Sequence, residues 1–344
     1  MKSAQTGFVK LQWLVLILIC MTPRVIGLAL NTEANDDHIE VVERWIATDS
    51  YPSADHCWEC FQPPIYYSIV YGAAALVGAE DRPELINVAH SLNGLLSLLI
   101  LSLLYRQIVG FSLSDDWKIL LFLFFGLNPK LVAINIQATN DTLVITLGMV
   151  SYHLLQQFCR TLSKPTAALL WFSLLAAGMT KGNGLVLVVV CSVIATVSIV
   201  ARRNLRTAEK IAGCYLFLVL LPVSVGYAGG YVARYEQFAD PFRINQEKAP
   251  PPNFAYYDGY VGKRMGIRSI VDGYLTFRFL DLLKHPHLGA SDSKYEEHRT
   301  SFWTLLYAQA FHCQYEQYPP SWRSTSPFAE IVARALYLLS LIHI

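Results

Sequence analysis

The sequence predicts an all-α polytopic membrane protein, a bundle of transmembrane helices with interfacial helical structure in its first external loop. Three observations lead there. Of 344 residues, 53% are hydrophobic and 15% charged, with mean hydropathy +0.35, which is too apolar for an ordinary soluble globule. Apolar runs near the length of about 20 residues that a spanning helix needs recur along the chain. The most basic short loop, Arg202, Arg203, Arg206 and Lys210, separates two such runs, and the positive-inside bias puts it in the cytoplasm. The net charge of +1, without a basic stripe or groove-reading motif, leaves no footprint for nucleic acid. Membrane lipids are the surrounding partners instead.

Taken in order, residues 11–30 form the first run, preceded by Lys2 and Lys10 and interrupted by Thr22-Pro23-Arg24. Residues 11–20, with the small Ala29 downstream, also resemble the apolar core of a signal peptide. The apolar character resumes after Arg24 and reaches spanning length, which favours a retained helix. Residues 31–62 make the first external loop. Further runs follow at 63–78, 85–110, 117–136, 141–158, 165–179, 184–201 and 211–231, completing a transmembrane domain over 1–231. Residues 232–327 read as an extracytoplasmic or luminal loop region, and 328–344 as the start of a further transmembrane helix in a C-terminally incomplete chain.

Counting back from the basic loop places Lys181 outside, Arg160 and Lys164 inside, and Asp141 outside. With the N-terminus inside, 63–78 cannot be a single full crossing, so a re-entrant or interfacial helix there restores parity. Either way Asp36, Asp37 and Asp141 share the non-cytoplasmic face with the 232–327 loop.

Residues 31–67 carry most of the chemistry. Asp36-Asp37 is followed by His38 and Glu40, and acidic residues just beyond a helix are also what a solvated loop would show. Helical phase over 37–47 gathers Ile39, Val42 and Ile46 on one side, an amphipathic helix suited to the interface. It would hold the aspartates at headgroup depth. His56-Cys57-Trp58-Glu59-Cys60 has zinc-like spacing but no second ligand pair, so a local disulfide or two free thiols is the better reading. The seven cysteines are otherwise scattered, mostly in apolar runs, where Cys behaves as a small hydrophobe. Pro63-Pro64 forces an extended lead-in, and Tyr66-Tyr67 suits an interfacial aromatic belt.

Asn140-Asp141 opens an apolar run, as a helix cap would, and Asn140-Asp141-Thr142 also matches the glycosylation pattern, although its place at a helix mouth argues against modification. Lys181 lies in a turn from Gly178 to Gly184 that lacks Walker spacing. It either snorkels to the interface or binds an anionic head group. The 232–327 region carries Tyr256, Tyr257, Arg264, Arg268, Arg278, His285, His287, Trp303, Tyr307, His312 and Tyr315, too many aromatics for disorder.

Together these residues resemble the GT-C class of integral-membrane glycosyltransferases, in the branch of the dolichyl-phosphate-mannose protein mannosyltransferases and the bacterial aminoarabinose transferases. The resemblance covers about residues 11–200. It rests on Asp36-Asp37-His38 after the first helix, on Gln62-Pro63-Pro64-Ile65-Tyr66-Tyr67, similar to the family's QPPLYY or HPPL opening, and on Asn128-Pro129 followed by Asn140-Asp141. Thr180-Lys181-Gly182 is similar to a lysine turn of that family. His38 stands closer to the acidic pair than the family's usual histidine.

The resemblance implies a GT-C-like bundle performing inverting transfer from a polyprenyl-phosphate-linked sugar donor to a lipid, glycan or protein acceptor. It implies catalysis by Asp36 or Asp37 as the base, with His38, Asp141, Lys181 and Gln62 binding substrate. Asp141 would orient the acceptor or a divalent cation, and Lys181 would neutralise the donor phosphate. The membrane would be a bacterial inner membrane or the endoplasmic reticulum, with the site on its non-cytoplasmic face. Two other classes stay open: a transporter or flippase of lipid-linked substrates, whose sites would need charges or broken helices at mid-membrane depth, and a non-catalytic subunit of a membrane complex. At that depth the apolar runs carry almost no such charges beyond Arg24, His90 and His153.

Overall fold

The structure, a computed structural model, describes residues 2–34, 37–202, 205–241 and 276–284 and positions 303, 304, 307, 331, 334, 335 and 338, with side chains from Gln12 onward. Among the described residues all regular structure is helical. The helices are α1 (Lys2–Leu30), α2 (His38–Thr48), α3 (Ile65–Val77), α4 (Arg82–Val109), α5 (Asp115–Gly126), α6 (Pro129–Asn135), α7 (Asp141–Thr161), α8 (Lys164–Gly178) and α9 (Gly184–Ala201). They continue with α10 (Thr207–Tyr215), a π-helical turn (Leu216–Leu220), α11 (Leu221–Ala228), α12 (Tyr231–Phe238) and α13 (Phe279–Lys284).

Among the described residues four segments are long and apolar enough to cross a bilayer: Gln12–Leu30, Arg82–Val109, Gly184–Ala201 and Thr207–Ala228. The bent pair α5–α6 makes a fifth if counted as one span. The chain is an α-helical integral membrane protein. Its α9 turns Val186, Val189, Val193 and Val197 outward, an apolar face that a bilayer solvates without cost.

The expected runs at 63–78, 141–158 and 165–179 do not combine spanning length with apolarity. With 13 and 15 residues, α3 and α8 fall short of the roughly 20 residues a bilayer core needs. Helix α7 is long enough at 21 residues but carries His153, Gln156, Gln157 and Arg160.

Local sequence explains where the helices begin. Asp81 accepts from Glu84 N at 2.9 Å, with Pro83 in the first turn of α4. Ser163 accepts from Thr166 N at 3.2 Å, ahead of Pro165 in α8. Each cap satisfies an amide that has no partner within its helix.

The run 117–136, expected as one span, is broken by 50° between α5 and α6. Asn128 leaves helical geometry and accepts from Leu131 N at 3.1 Å, and Pro129 cannot donate back along the helix. Arg24 answers the break. Its Nη1 donates to Gly126 O, at the end of α5, at 2.7 Å and to Cys20 O at 2.6 Å. A similar cause produces the π-helical turn: Pro222 lacks the N–H that would reach Leu218 O, and the ladder widens just ahead of it.

Helix α1 lies against α4, α5 and α6; α4 also packs on α3 and α7; and α7, α8 and α9 pack mutually. One core joins α2, α3 and α4 through Ile39, Val42, Tyr66, Tyr67, Val70 and Leu85. A second, around Leu170, Leu174, Phe217 and Leu221, holds α7 to α11.

Two interfacial expectations change here. The apolar face of α2 is covered by α3 and α4 rather than left for lipid, and Tyr66 and Tyr67 are buried in the core rather than set in an aromatic belt. Both follow from α3 being short and packed against α2 of the first loop and against α4. Most of 232–327, including Tyr256, Tyr257, Arg264, Arg268, His285, His287, His312 and Tyr315, lies outside the described residues, as does most of 328–344.

Candidate functional site

The candidate site is assembled where the first loop meets the starts of α7 and α9. Asp36 lies outside the described residues. Asp37 is the N-cap residue of α2, although its side chain makes no capping bond. It is exposed, with Oδ1 3.7 Å from Arg82 Nη2. The same guanidinium donates to Glu43 at 2.6 Å, tying the start of α4 to α2.

His38, one residue later, is 1% exposed. Its Nδ1 is 2.7 Å from Tyr67 OH and its Nε2 3.2 Å from Thr139 Oγ1. With the single Thr139 hydroxyl proton directed at Asp141 Oδ2, Nε2–H donates to Thr139 Oγ1 and Nδ1 accepts from Tyr67 OH. Glu59 Oε2 lies 3.9 Å from Nδ1 and accepts from Gln62 Nε2 at 3.0 Å. His38 is thus wedged between the first loop and α7, and Gln62 is buried on the far side of Glu59.

Thr139 carries the network onward. Its Oγ1 lies 3.4 Å from Asp141 Oδ2, and Asp141 Oδ1 accepts from Lys181 Nζ at 2.8 Å. The turn before α7 is pinned by side chains: Asn31 Nδ2 donates to Ile136 O at 2.6 Å, and Asn93 Nδ2 to Gln137 O and, at 3.0 Å, to Thr139 O. Asn140 is fully buried and donates to Thr180 O at 3.2 Å, so the glycosylation pattern is inaccessible. Between snorkelling and anion binding for Lys181, the structure adds a third fact, an internal carboxylate partner.

Cys57 and Cys60 form a disulfide, which removes them as metal ligands and resolves the choice between thiols and a bridge. Among the described residues no group of three or more His, Cys, Asp or Glu side chains converges to hold a metal ion.

Beside this network lies a cavity of about 260 Å³ lined by Tyr51, Gln62, Gly229, Gly230 and Arg234, among others. Tyr51 OH donates to Gln62 O at 3.0 Å, and Tyr231 OH to Gly178 O at 3.0 Å. Burial pushes the Tyr231 phenol up to about 12. Burial also raises the Tyr51 phenol, against an opposing pull from Arg234.

The structure therefore brings His38, Gln62, Asp141 and Lys181 into one connected region, with Asp37 on its exposed edge. Sequence reasoning missed Glu59, Tyr67, Thr139 and Arg234 as participants. Thr139 stands beside a motif that was singled out, whereas Arg234 has only the preceding Gly229-Gly230 as a signal. Chemically, the region offers a solvent-reachable carboxylate, a second balanced by a lysine, and a buried imidazole, beside the buried carboxylate of Glu59, linking the elements that carry them. The chain matches no family model and no curated protein.

Proposed function

We propose that the chain is an inverting, hexosyltransferase-like glycosyltransferase of the GT-C class. It moves a sugar from a polyprenyl-phosphate donor to a lipid, glycan or protein acceptor on the non-cytoplasmic face. One observation carries this: three stretches far apart in sequence, around Asp37-His38, Thr139-Asp141 and Lys181, are tied together at one end of the helical bundle.

An exposed Asp37, or Asp36 beside it, takes the proton of the acceptor hydroxyl as that oxygen attacks the anomeric carbon. The bond from that carbon to the phosphate oxygen breaks on the opposite face, and the lipid phosphate departs with the electron pair. One base suffices, because the leaving phosphate already carries stabilised charge. Asp141 orients the acceptor, and the N–H groups of Lys181 not spent on Asp141 face the donor phosphate.

The test is transfer of radiolabelled sugar from a panel of polyprenyl-phosphate donors in membranes carrying the protein, with Asp36→Asn and Asp37→Asn compared to wild type. Loss in one variant at normal expression identifies the base. Wild-type transfer in both removes the proposed base.

A second reading, a transporter or flippase, draws on the α5–α6 break with the buried Arg24 at its edge, since transporters build sites at broken helices. It expects donor lipid to cross the membrane without sugar transfer in the same preparation. A chain with neither activity would be a complex subunit.

A further inference from the structure

Among the described residues Arg234 is a buried cation without a counter-ion. It is 7% exposed, and its partners are neutral: Nε donates to Pro241 O at 3.1 Å, Nη2 to Gly229 O at 3.3 Å, and Nη1 to Phe61 O. The Tyr231 ring lies 4.5 Å below the guanidinium carbon. Among the described residues no carboxylate pairs with it. Lys181, by contrast, is balanced by Asp141. A guanidinium taken out of water is costly unless charge or hydrogen bonds compensate, and carbonyl oxygens supply only the second. Burial accordingly lowers its proton affinity.

The surroundings favour an anion. Arg234 lines the 260 Å³ cavity, and Nη1 and Nη2 each carry a second N–H beyond those engaged with carbonyls. That pair suits two oxygens of one phosphate. The cavity wall also includes Gly229, Gly230 and Ala233, the start of α12, where first-turn amides and the helix dipole favour negative charge. Gly230 adopts φ +73°, a left-handed conformation that glycine takes without steric cost. At its rim Tyr227, Ala228, Ala233 and Gln237 are exposed. The volume falls just below the range of about 300–1,000 Å³ for whole drug-sized ligands, which fits a head group.

We infer that the cavity between the Tyr51–Gln62 segment and the start of α12 is a binding site for a phosphate group, held by Arg234 and the α12 N-terminus. This assignment is independent of the proposed glycosyl transfer. Free phosphate and a lipid-linked phosphate present the same oxygens.

The test measures equilibrium binding of inorganic phosphate and of farnesyl phosphate to the full chain purified in a zwitterionic detergent, with farnesol as the uncharged control. Wild type is compared with Ala233→Glu and Arg234→Gln. Arg234→Gln also removes three structural hydrogen bonds and can fail to fold. Ala233→Glu keeps them, and its carboxylate suits the first turn of a helix.

Expected are phosphate-dependent binding by wild type and affinity weaker by about tenfold or more in Ala233→Glu at an unchanged melting temperature. Displacement of farnesyl phosphate by inorganic phosphate would assign the site to free phosphate. Resistance to displacement would assign it to a lipid-linked one. The inference is overturned if neither probe binds wild type, if farnesol binds as well as farnesyl phosphate, or if folded Ala233→Glu binds like wild type.

Discussion

Lys181 Nζ lies 2.8 Å from Asp141 Oδ1, forty residues away in sequence, and so joins the turn between α8 and α9 to the first residue of α7. The side chains are 21% and 32% exposed, enough burial for the pair to exceed the 0–1 kcal/mol typical of a surface bridge. Lys181→Met should cost about 1–3 kcal/mol, because it strips a partly buried carboxylate of its charged donor. Asp141→Asn combined with Lys181→Met should cost less than the two singles summed, by about 0.5–3 kcal/mol. Denaturation of the four proteins in one detergent measures this, and strict additivity would deny the contact.

Asp37 and Tyr67 should separate chemistry from stability. Tyr67→Phe deletes a buried hydroxyl 2.7 Å from His38 Nδ1, for an expected loss of about 1–3 kcal/mol. Asp37→Asn changes an exposed group and should move stability by no more than about 0.5 kcal/mol. If Asp37 is the base, that variant loses transfer while melting like wild type. Comparable destabilisation by both changes would contradict the exposures seen here.

The disulfide closes a very short ring, with Cys57 and Cys60 three positions apart. Chain-entropy reasoning assigns a ring of that size about 2 kcal/mol. Glu59 lies inside it and reaches Gln62 and the neighbourhood of His38, so opening the ring also loosens the buried polar network. Cys57→Ser with Cys60→Ser should therefore cost about 2 kcal/mol or somewhat more. Peptide mapping after alkylation without reductant should find Cys57 and Cys60 unmodified. Alkylated Cys57 in the native oxidised protein would refute the bridge.

Sequence was a good guide wherever the signal is local. Composition and run length identify the long apolar helices, and phase identifies α2 with its apolar stripe. The break at Asn128-Pro129 was present in the letters, yet the apolar content on both sides masked it. What is not legible is which polar groups meet. Tyr66-Tyr67 reads as well for an interface as for a core, and only the packing of α3 on α2 and α4 decides. His38 reaches Thr139 across 101 positions, and Arg234 reaches Phe61 across 173, separations that no periodicity encodes. The same ambiguity made Lys181 a snorkelling or anion-binding residue, since its partner Asp141 lies in another helix.

The two glycines that follow Lys181, Gly182 within the turn and Gly184 at its end, should behave oppositely. At Gly184, the first residue of α9, an added Cβ would fall 1.9 Å from Ala177 O and 2.4 Å from Ala177 C. Those are backbone atoms of the last turn of α8, so no side chain can swing aside and α8 and α9 must separate. Gly184→Ala should cost about 3 kcal/mol, at the upper end of overpacking, and should displace the turn that aims Lys181 at Asp141. At Gly182 nothing lies within 4 Å of an added Cβ, and its φ is not positive. Gly182→Ala should accordingly stabilise by about 0.4–1 kcal/mol through the unfolded chain. Thermal unfolding of the two variants decides: equal effects, or a tolerated Gly184→Ala, would mean that α8 and α9 do not approach this closely and that the Asp141–Lys181 geometry is not set by their contact.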